Sequence, residues 1–360
     1  MFKRALRKPD GRQQVFYSRR PLPEHLSPPS PEKSALARSG HLRWHPLRRE
    51  WVVYATHRQT RTFLPPPEWN PLAPMVDPNV PTEMPVGDYD ISVFDNLFPA
   101  LSQTEAPDPL YVPTTGTSGA CEVVVFTQDP KTSLGALSLA QMELLIEVWA
   151  DRTRELGARK DVDYVFPFEN RGVEVGVTLH HPHGQIYAFP FVPPLAQTEL
   201  AAMKDHLTLT GTGLLSWMIA EELKDGRRIL FESENAVAFI PVCARYPYEV
   251  WLAPKRGVPT FAELEPDEVR DLARALKTVL GQYDGLWNTP FPYVMAWHQA
   301  PTDGLAHPEA HLHAELYPPY RMQGRLKYLA GTELGAGAFS ADTLPEAKAA
   351  ELRAVEVRLD

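Results

Sequence analysis

One stretch near the middle of the chain, His181-Pro182-His183-Gly184-Gln185-Ile186-Tyr187, has the residue types and spacing for chemistry at phosphorus. Two histidines two apart on an extended segment project both imidazoles to one face. Gln185 places a neutral amide donor on that face, and Gly184 lets backbone approach a ligand closely. A neutral imidazole is nucleophilic near pH 7, and a donor beside it suits a phosphoryl group under attack. The same spacing also fits a metal half-site or two structural histidines, and spacing alone does not decide. Pro182 cannot donate to a ladder, so the segment belongs at a strand end or sheet edge. Val173, Val175, Val177 and Leu179 before it, and Ile186, Tyr187 and Phe189 after it, read as strand.

The elements around this stretch occur twice. Glu122–Phe126 reads as a strand, and a helix follows from Ser138, which forms a capping box with Gln141. Leu139, Met142, Leu145, Ile146 and Trp149 form the apolar face of that helix, and Gly157 stops it. Tyr164–Phe168 is the next strand, and the His181/His183 segment comes after it. In the second half, Glu249–Ala253 is a strand. A helix with Pro266 in its first turn carries Val269, Leu272, Leu276, Val279 and Leu280 on one face. Tyr293–Trp297 is the following strand, and His311-Leu312-His313-Ala314-Glu315 takes the place of the first His-x-His. Glu122 and Glu249 are 127 positions apart, and His183 and His313 are 130 apart. So constant an offset marks two copies of one strand–helix–strand–strand unit.

The copies differ in chemistry. The first carries His-x-Gln and the second His-x-Glu. Glu199, His298, His311, His313 and Glu315 together offer enough N and O donors for one zinc or iron ion. The alternative is a set of hydrogen-bonded histidines on a buried face.

Composition frames these motifs. The chain has 360 residues, 44% of them hydrophobic, and a net charge of −9, which argues against a nucleic-acid backbone binder. Its 37 prolines imply many irregular connections. Cys121 and Cys243 are far apart and form no zinc or redox motif, so a reducing compartment is expected. No signal peptide or membrane span is evident, and the default is a soluble cytoplasmic protein. Residues 1–40, basic and proline-rich, read as a poorly ordered arm. Strands are expected around Arg43–Leu47 and Glu50–Tyr54, with Arg58 and Arg61 just beyond as a possible phosphate clamp or a solvated pair. Residues 64–88 read as a long loop and Asp90–Asn96 as a strand. Near the C-terminus, Lys327 and Glu333 precede a glycine-rich run and a last helix over Leu344–Leu359.

Phe168-Glu169-Asn170-Arg171-Gly172, then Thr178, then His181-Pro182-His183-Gly184-Gln185-Ile186, is similar to the signature of the galactose-1-phosphate uridylyltransferase family, in the histidine-triad superfamily. Trp51 with His57-Arg58 and Arg61, Phe291-Pro292-Tyr293 with Trp297-His298, His313-Ala314 with Tyr317-Pro318-Pro319, and Lys327 with Glu333 extend the resemblance over about residues 42 to 340. It implies an α+β fold of tandem histidine-triad-like repeats, mostly antiparallel half-barrel sheets with flanking helices. The expected division is an arm (1–40), a catalytic repeat (41–200) and a repeat with metal and hexose-side residues (201–360), the two repeats forming one compact unit.

The implied reaction is ping-pong. His183 attacks UDP-glucose, releases glucose 1-phosphate and passes the uridylyl group to galactose 1-phosphate, giving UDP-galactose. Gln185 replaces the superfamily's third histidine and stabilises the intermediate, which disfavours a hydrolase. Arg58, Arg61, Asn96, Asn170, Thr178, His181, Lys327 and Glu333 match substrate-binding positions, the two arginines coming from the partner in a homodimer. Glu199, His298 and His313 match a metal site of the family, and Glu315 stands where its last histidine is often found, a carboxylate that keeps the site plausible. A second site, usually zinc on Cys-x-x-Cys with two histidines, has Asn70, Ala73 and Pro130 at three positions and only His181 left, so no metal is expected there. Competing readings are an ADP-glucose or dinucleoside-polyphosphate phosphorylase or adenylyltransferase, and a non-catalytic nucleotide-binding module. Intact His183, Gln185 and Asn170 argue against the last.

Overall fold

The structure is a computed structural model and describes residues 1–32, 39–60, 65 and 69–359. In the first half, the strands are β1 (Phe2–Arg7), β2 (Gln13–Ser18), β3 (His41–His45), β4 (Glu50–Tyr54), β5 (Ile91–Asp95), β6 (Thr114–Gly116) and β7 (Ala120–Val125). Helix α1 (Leu139–Gly157), β8 (Tyr164–Arg171) and β9 (His183–Phe189) follow. The second half holds α2 (Pro194–Thr210), α3 (Leu214–Asp225), β10 (Ile229–Glu232), β11 (Ala236–Phe239), β12 (Val250–Pro254) and α4 (Pro266–Leu286). It ends with β13 (Tyr293–His298), β14 (His313–Tyr317), β15 (Tyr320–Met322), β16 (Arg325–Leu326) and α5 (Pro345–Arg353).

Eleven strands form one open antiparallel sheet in the order β1-β2-β5-β7-β9-β8-β13-β14-β12-β11-β10. The repeat is visible in that order. Around the β8–β13 seam, β8, β9 and β7 on one side mirror β13, β14 and β12 on the other. The fold is thus α+β and mostly antiparallel, as the family resemblance implies. Ser138 caps α1 by accepting from the Gln141 N–H, but the expected capping box is only half formed, because the Gln141 amide donates to the Asp90 and Phe126 carbonyls instead; Pro266 begins α4. Both helices pack on the sheet and on each other, and Leu272, Leu276, Val279 and Leu280 of α4 are fully buried. Each such side chain contributes roughly 1.5–3 kcal/mol of burial. The last helix is shorter than expected, ending at Arg353.

The expected arm is corrected over its first half. Phe2–Ser18 is a hairpin that extends the sheet beyond β5. Its basic residues, which read as a solvated tail, meet carboxylates distant in sequence. Lys3 pairs with Asp151 at 2.6 Å, Lys8 with Glu83 at 2.7 Å, and Arg12 with Glu83 at 2.8 Å and Asp10 at 2.7 Å. Lys8, Arg12 and Glu83 are all buried. Removing Glu83 strands the buried Lys8 ammonium and leaves Arg12 with Asp10 alone, which costs about 3–5 kcal/mol. Glu83→Ala should therefore lower the unfolding free energy by that amount in denaturant melts and open residues 8–12 to protease. An unchanged melt would show that the hairpin does not depend on this cluster.

Candidate active site

His183 opens β9, with Val125 of β7 opposite it, while Gln185 lies between Val123 of β7 and Phe168 of β8. Along β9 the residues Gly184, Ile186 and Ala188 are buried, and the side chains of His183, Gln185 and Tyr187 share the other face. Gly184 serves the sheet rather than a ligand. A Cβ there would lie 2.8 Å from the Phe126 ring and 2.9 Å from the Phe168 carbonyl oxygen. The expected strand over Val173–Leu179 is also corrected. Gly172 (φ 97°) and Gly176 (φ 79°) bracket a 3-10 turn at Val173–Val175, and the following loop brings Thr178 to the site.

The state of His183 is set by its neighbours. Its Nδ1–H donates to the His181 carbonyl at 2.7 Å, which leaves the Nε2 lone pair facing open space. Burial pushes the His183 pKa below its ordinary value, and burial takes that of His181 down to about 4. Both rings are neutral at pH 7. His181 is placed differently from the substrate contact expected of it, because both its ring nitrogens are used. Nε2–H donates to the Thr127 carbonyl at 2.7 Å, and Nδ1 meets Asn70 Nδ2 at 3.0 Å.

Two cavities of about 430 and 370 Å³ meet at His183, and both are lined by Arg58, Thr178, His183 and Gln185. The larger adds Trp69, Leu72, Phe94, Asn96, Phe98 and Val123. The smaller adds Phe168, Asn170 and Tyr187. Arg58, on a 3-10 turn at Thr56–Thr60, donates to the Phe98 carbonyl at 2.8 Å and the Tyr187 hydroxyl at 3.2 Å. It lines both cavities together with His183 of its own chain. Asn96 is both cavity wall and turn residue, its Oδ1 accepting from the Phe98 N–H at 2.8 Å. Arg61 lies outside the described residues. Lys327 and Glu333 stand 3.7 Å from each other, and neither lines a cavity that His183 lines. Sequence reasoning passed over Tyr187 as a site residue, although its place two residues after Gln185 on an alternating strand puts it on the same face. It also passed over the part played by the 69–83 loop, whose partners are distant in sequence.

In the second repeat, β13 and β14 set His298 opposite His313, and α2 brings Glu199 to them. One ligand atom from each of the three lies within 4.8 Å of the others. His313 Nδ1–H donates to the His311 carbonyl at 2.8 Å, which directs Nε2 inward. His298 Nδ1 is 2.7 Å from Glu199 Oε2, yet among the described residues neither ring nitrogen of His298 makes a hydrogen bond of acceptable geometry. A buried imidazole in contact with a carboxylate and stacked on a second imidazole is the donor chemistry of a zinc or iron site. Glu315 stands at the rim, 3.8 Å from His313 Nε2 and bonded by the Tyr317 hydroxyl. His311 is supporting structure, its Nε2–H donating to the Pro254 carbonyl at 2.8 Å. At the first implied metal position the residues do not fit. Ala73 and Pro130 offer no ligand atom, and Asn70 is committed to hydrogen bonds.

Fold and site together define a nucleotidyltransferase built on an open antiparallel sheet. Residues 32–193 match the N-terminal domain of galactose-1-phosphate uridyl transferase, and residues 199–359 match its C-terminal domain. A curated galactose-1-phosphate uridylyltransferase of Thermotoga maritima is 38% identical over 326 residues, spanning 88% of this chain and 99% of that protein. One from Streptomyces lividans is 35% identical over 91% of this chain and 90% of its own length. A solved uridylyltransferase structure, 33% identical, superposes with a TM-score of 0.79 over 87% of this chain and 98% of its own. The chain belongs to the galactose-1-phosphate uridylyltransferase family.

Two outcomes follow from the geometry. With His183 held below its ordinary pKa of 6.5, the first chemical step should fall on acidification with a midpoint below 6.5. A rapid-mixing pH profile with its midpoint above 6.5 would contradict this. Elemental analysis should find at most one metal per chain, absent from His298→Ala. Two tightly held metals per chain would contradict the donor assignment.

Proposed function

We propose that this chain transfers the uridylyl group of UDP-glucose to galactose 1-phosphate by a ping-pong route. The supporting observation is the His183 Nε2 lone pair at the junction of two cavities that share Arg58, Thr178 and Gln185. A donor with its α-phosphorus at this junction places nucleoside in the larger cavity and sugar phosphate in the smaller. Nε2 attacks the α-phosphorus, and the bond to the bridging oxygen breaks. Glucose 1-phosphate leaves with that electron pair. A phosphate oxygen of galactose 1-phosphate then attacks the same phosphorus, and the N–P pair returns to Nε2 as UDP-galactose forms. The leaving group is a weak base and needs no proton, so Gln185 suffices where an acid is unnecessary. Its amide donates to the phosphoryl oxygens as charge builds. Arg58, Arg61, Asn170 and Thr178 hold phosphate, while Asn96 holds the nucleoside between Phe94 and Phe98.

Glu199, His298 and His313 would hold one zinc or iron ion, with Glu315 beside it. The ion would be a structural tie between α2 and the β13–β14 pair. Lys327 and Glu333 lie off the cavities of their own chain, so a role for them in sugar recognition needs a second copy, and we take the working unit to be a homodimer. The two free cysteines fit a reducing, cytoplasmic setting.

His183→Ala should bind UDP-glucose in the wild-type range and lose at least about a thousandfold in turnover. Glucose 1-phosphate release near the wild-type rate would remove His183 from the mechanism. Mixing His183→Ala chains with Lys327→Ala chains should restore activity through mixed dimers, and no restoration would count against shared sites.

A further inference from the structure

We infer that Asn70 is a positioning residue for the nucleophile, acting through His181. The Asn70 amide has only one orientation that fits its partners. Asn70 Oδ1 accepts the Leu72 N–H at 3.0 Å, so the Nδ2 group must face His181. Nδ2 is 3.0 Å from His181 Nδ1, and His181 Nε2 is 2.7 Å from the Thr127 carbonyl oxygen, which only accepts. The proton of His181 therefore sits on Nε2, and Nδ1 accepts from Asn70. The ring is pinned from both sides. Its own backbone carbonyl in turn accepts the Nδ1–H of His183, so the position of His181 decides which nitrogen of His183 keeps a free lone pair.

The second repeat carries the same support. His311 Nε2–H donates to the Pro254 carbonyl at 2.8 Å, Ser216 Oγ lies 3.3 Å from His311 Nδ1, and His313 Nδ1–H donates to the His311 carbonyl at 2.8 Å. A different side chain, from a different part of the fold, fills the role of Asn70. What recurs is a donor to Nδ1 of the first histidine, not a particular residue. Around His181 no set of metal ligands is assembled among the described residues, and the buried ring is held by packing and these two hydrogen bonds.

The inference rests on His183 being the nucleophile, and the test separates the two. Asn70→Leu removes the donor at similar volume, and Asn70→Ser restores a hydroxyl donor like that of Ser216. Rapid mixing with UDP-glucose measures the rate of uridylyl-enzyme formation, and nitrogen NMR of labelled histidines reads the tautomers. Wild-type protein should show His181 protonated on Nε2 and His183 on Nδ1. Asn70→Leu should slow adduct formation and kcat by about 10- to 100-fold, with KM for UDP-glucose within about twofold, and mix the His181 tautomers. Asn70→Ser should recover most of the rate. A wild-type rate in Asn70→Leu, with no adduct in His183→Ala, would overturn the role of Asn70 and leave the nucleophile in place. An adduct in His183→Ala would overturn both. His181 protonated on Nδ1 in wild-type protein would overturn the inference however the variants fold.

Discussion

A single hydrogen bond, from His183 Nδ1–H to the His181 carbonyl, decides what this site can do. It forces the proton onto the nitrogen that faces the protein and leaves the other as a lone pair over the cavities. The bond exists because β9 begins at His183. The His181 carbonyl lies just before the strand, outside the ladder, and is free to accept, as the His311 carbonyl is before β14 at His313. Pairing of β9 with both β7 and β8 then makes the orientation rigid, since a slip of one residue would bury His183 and Gln185 and expose Ile186. Burial contributes the remaining condition by keeping both histidines uncharged at neutral pH.

The two repeats show how one backbone arrangement yields two kinds of site. In each, the second histidine of His-x-His donates Nδ1–H to the carbonyl of the first. In the first repeat the free nitrogen looks into a cavity beside an amide. In the second it looks toward His298 and Glu199. The residue two further on differs accordingly: Gln185 lines the cavity, whereas Glu315 is buried with its pKa pushed up to about 7 by desolvation. Because β8 and β13 pair directly, the two sites are parts of one sheet.

Much of this was legible in the residues. The His-x-His spacing, the constant offset between halves, the Ser138 cap and the Pro266 start are local signals, and each appears where its physics puts it. The N-terminal hairpin was not legible, because Lys8 and Arg12 are neutralised by Glu83, about seventy residues away, and charge without its partner reads as solvation. The Val173–Leu179 segment alternates like a strand, but Gly172 and Gly176 sit at positive φ and fold it into a turn. Gly184 carried a correct signal with a different meaning, since close approach is needed to Phe168 and Phe126. Arg58 matched by type, and only the packing of its 3-10 turn against Phe98 and Tyr187 places it on the cavity wall.

The central claim is that His183 carries the uridylyl group between two half-reactions. Intact mass spectrometry of the protein mixed with UDP-glucose, without acceptor, tests it directly. The expected result is one uridylyl group per chain, located on His183 and lost when galactose 1-phosphate is added. Unmodified protein, under conditions where both substrates together are turned over, would show that transfer does not pass through the enzyme and would contradict the account.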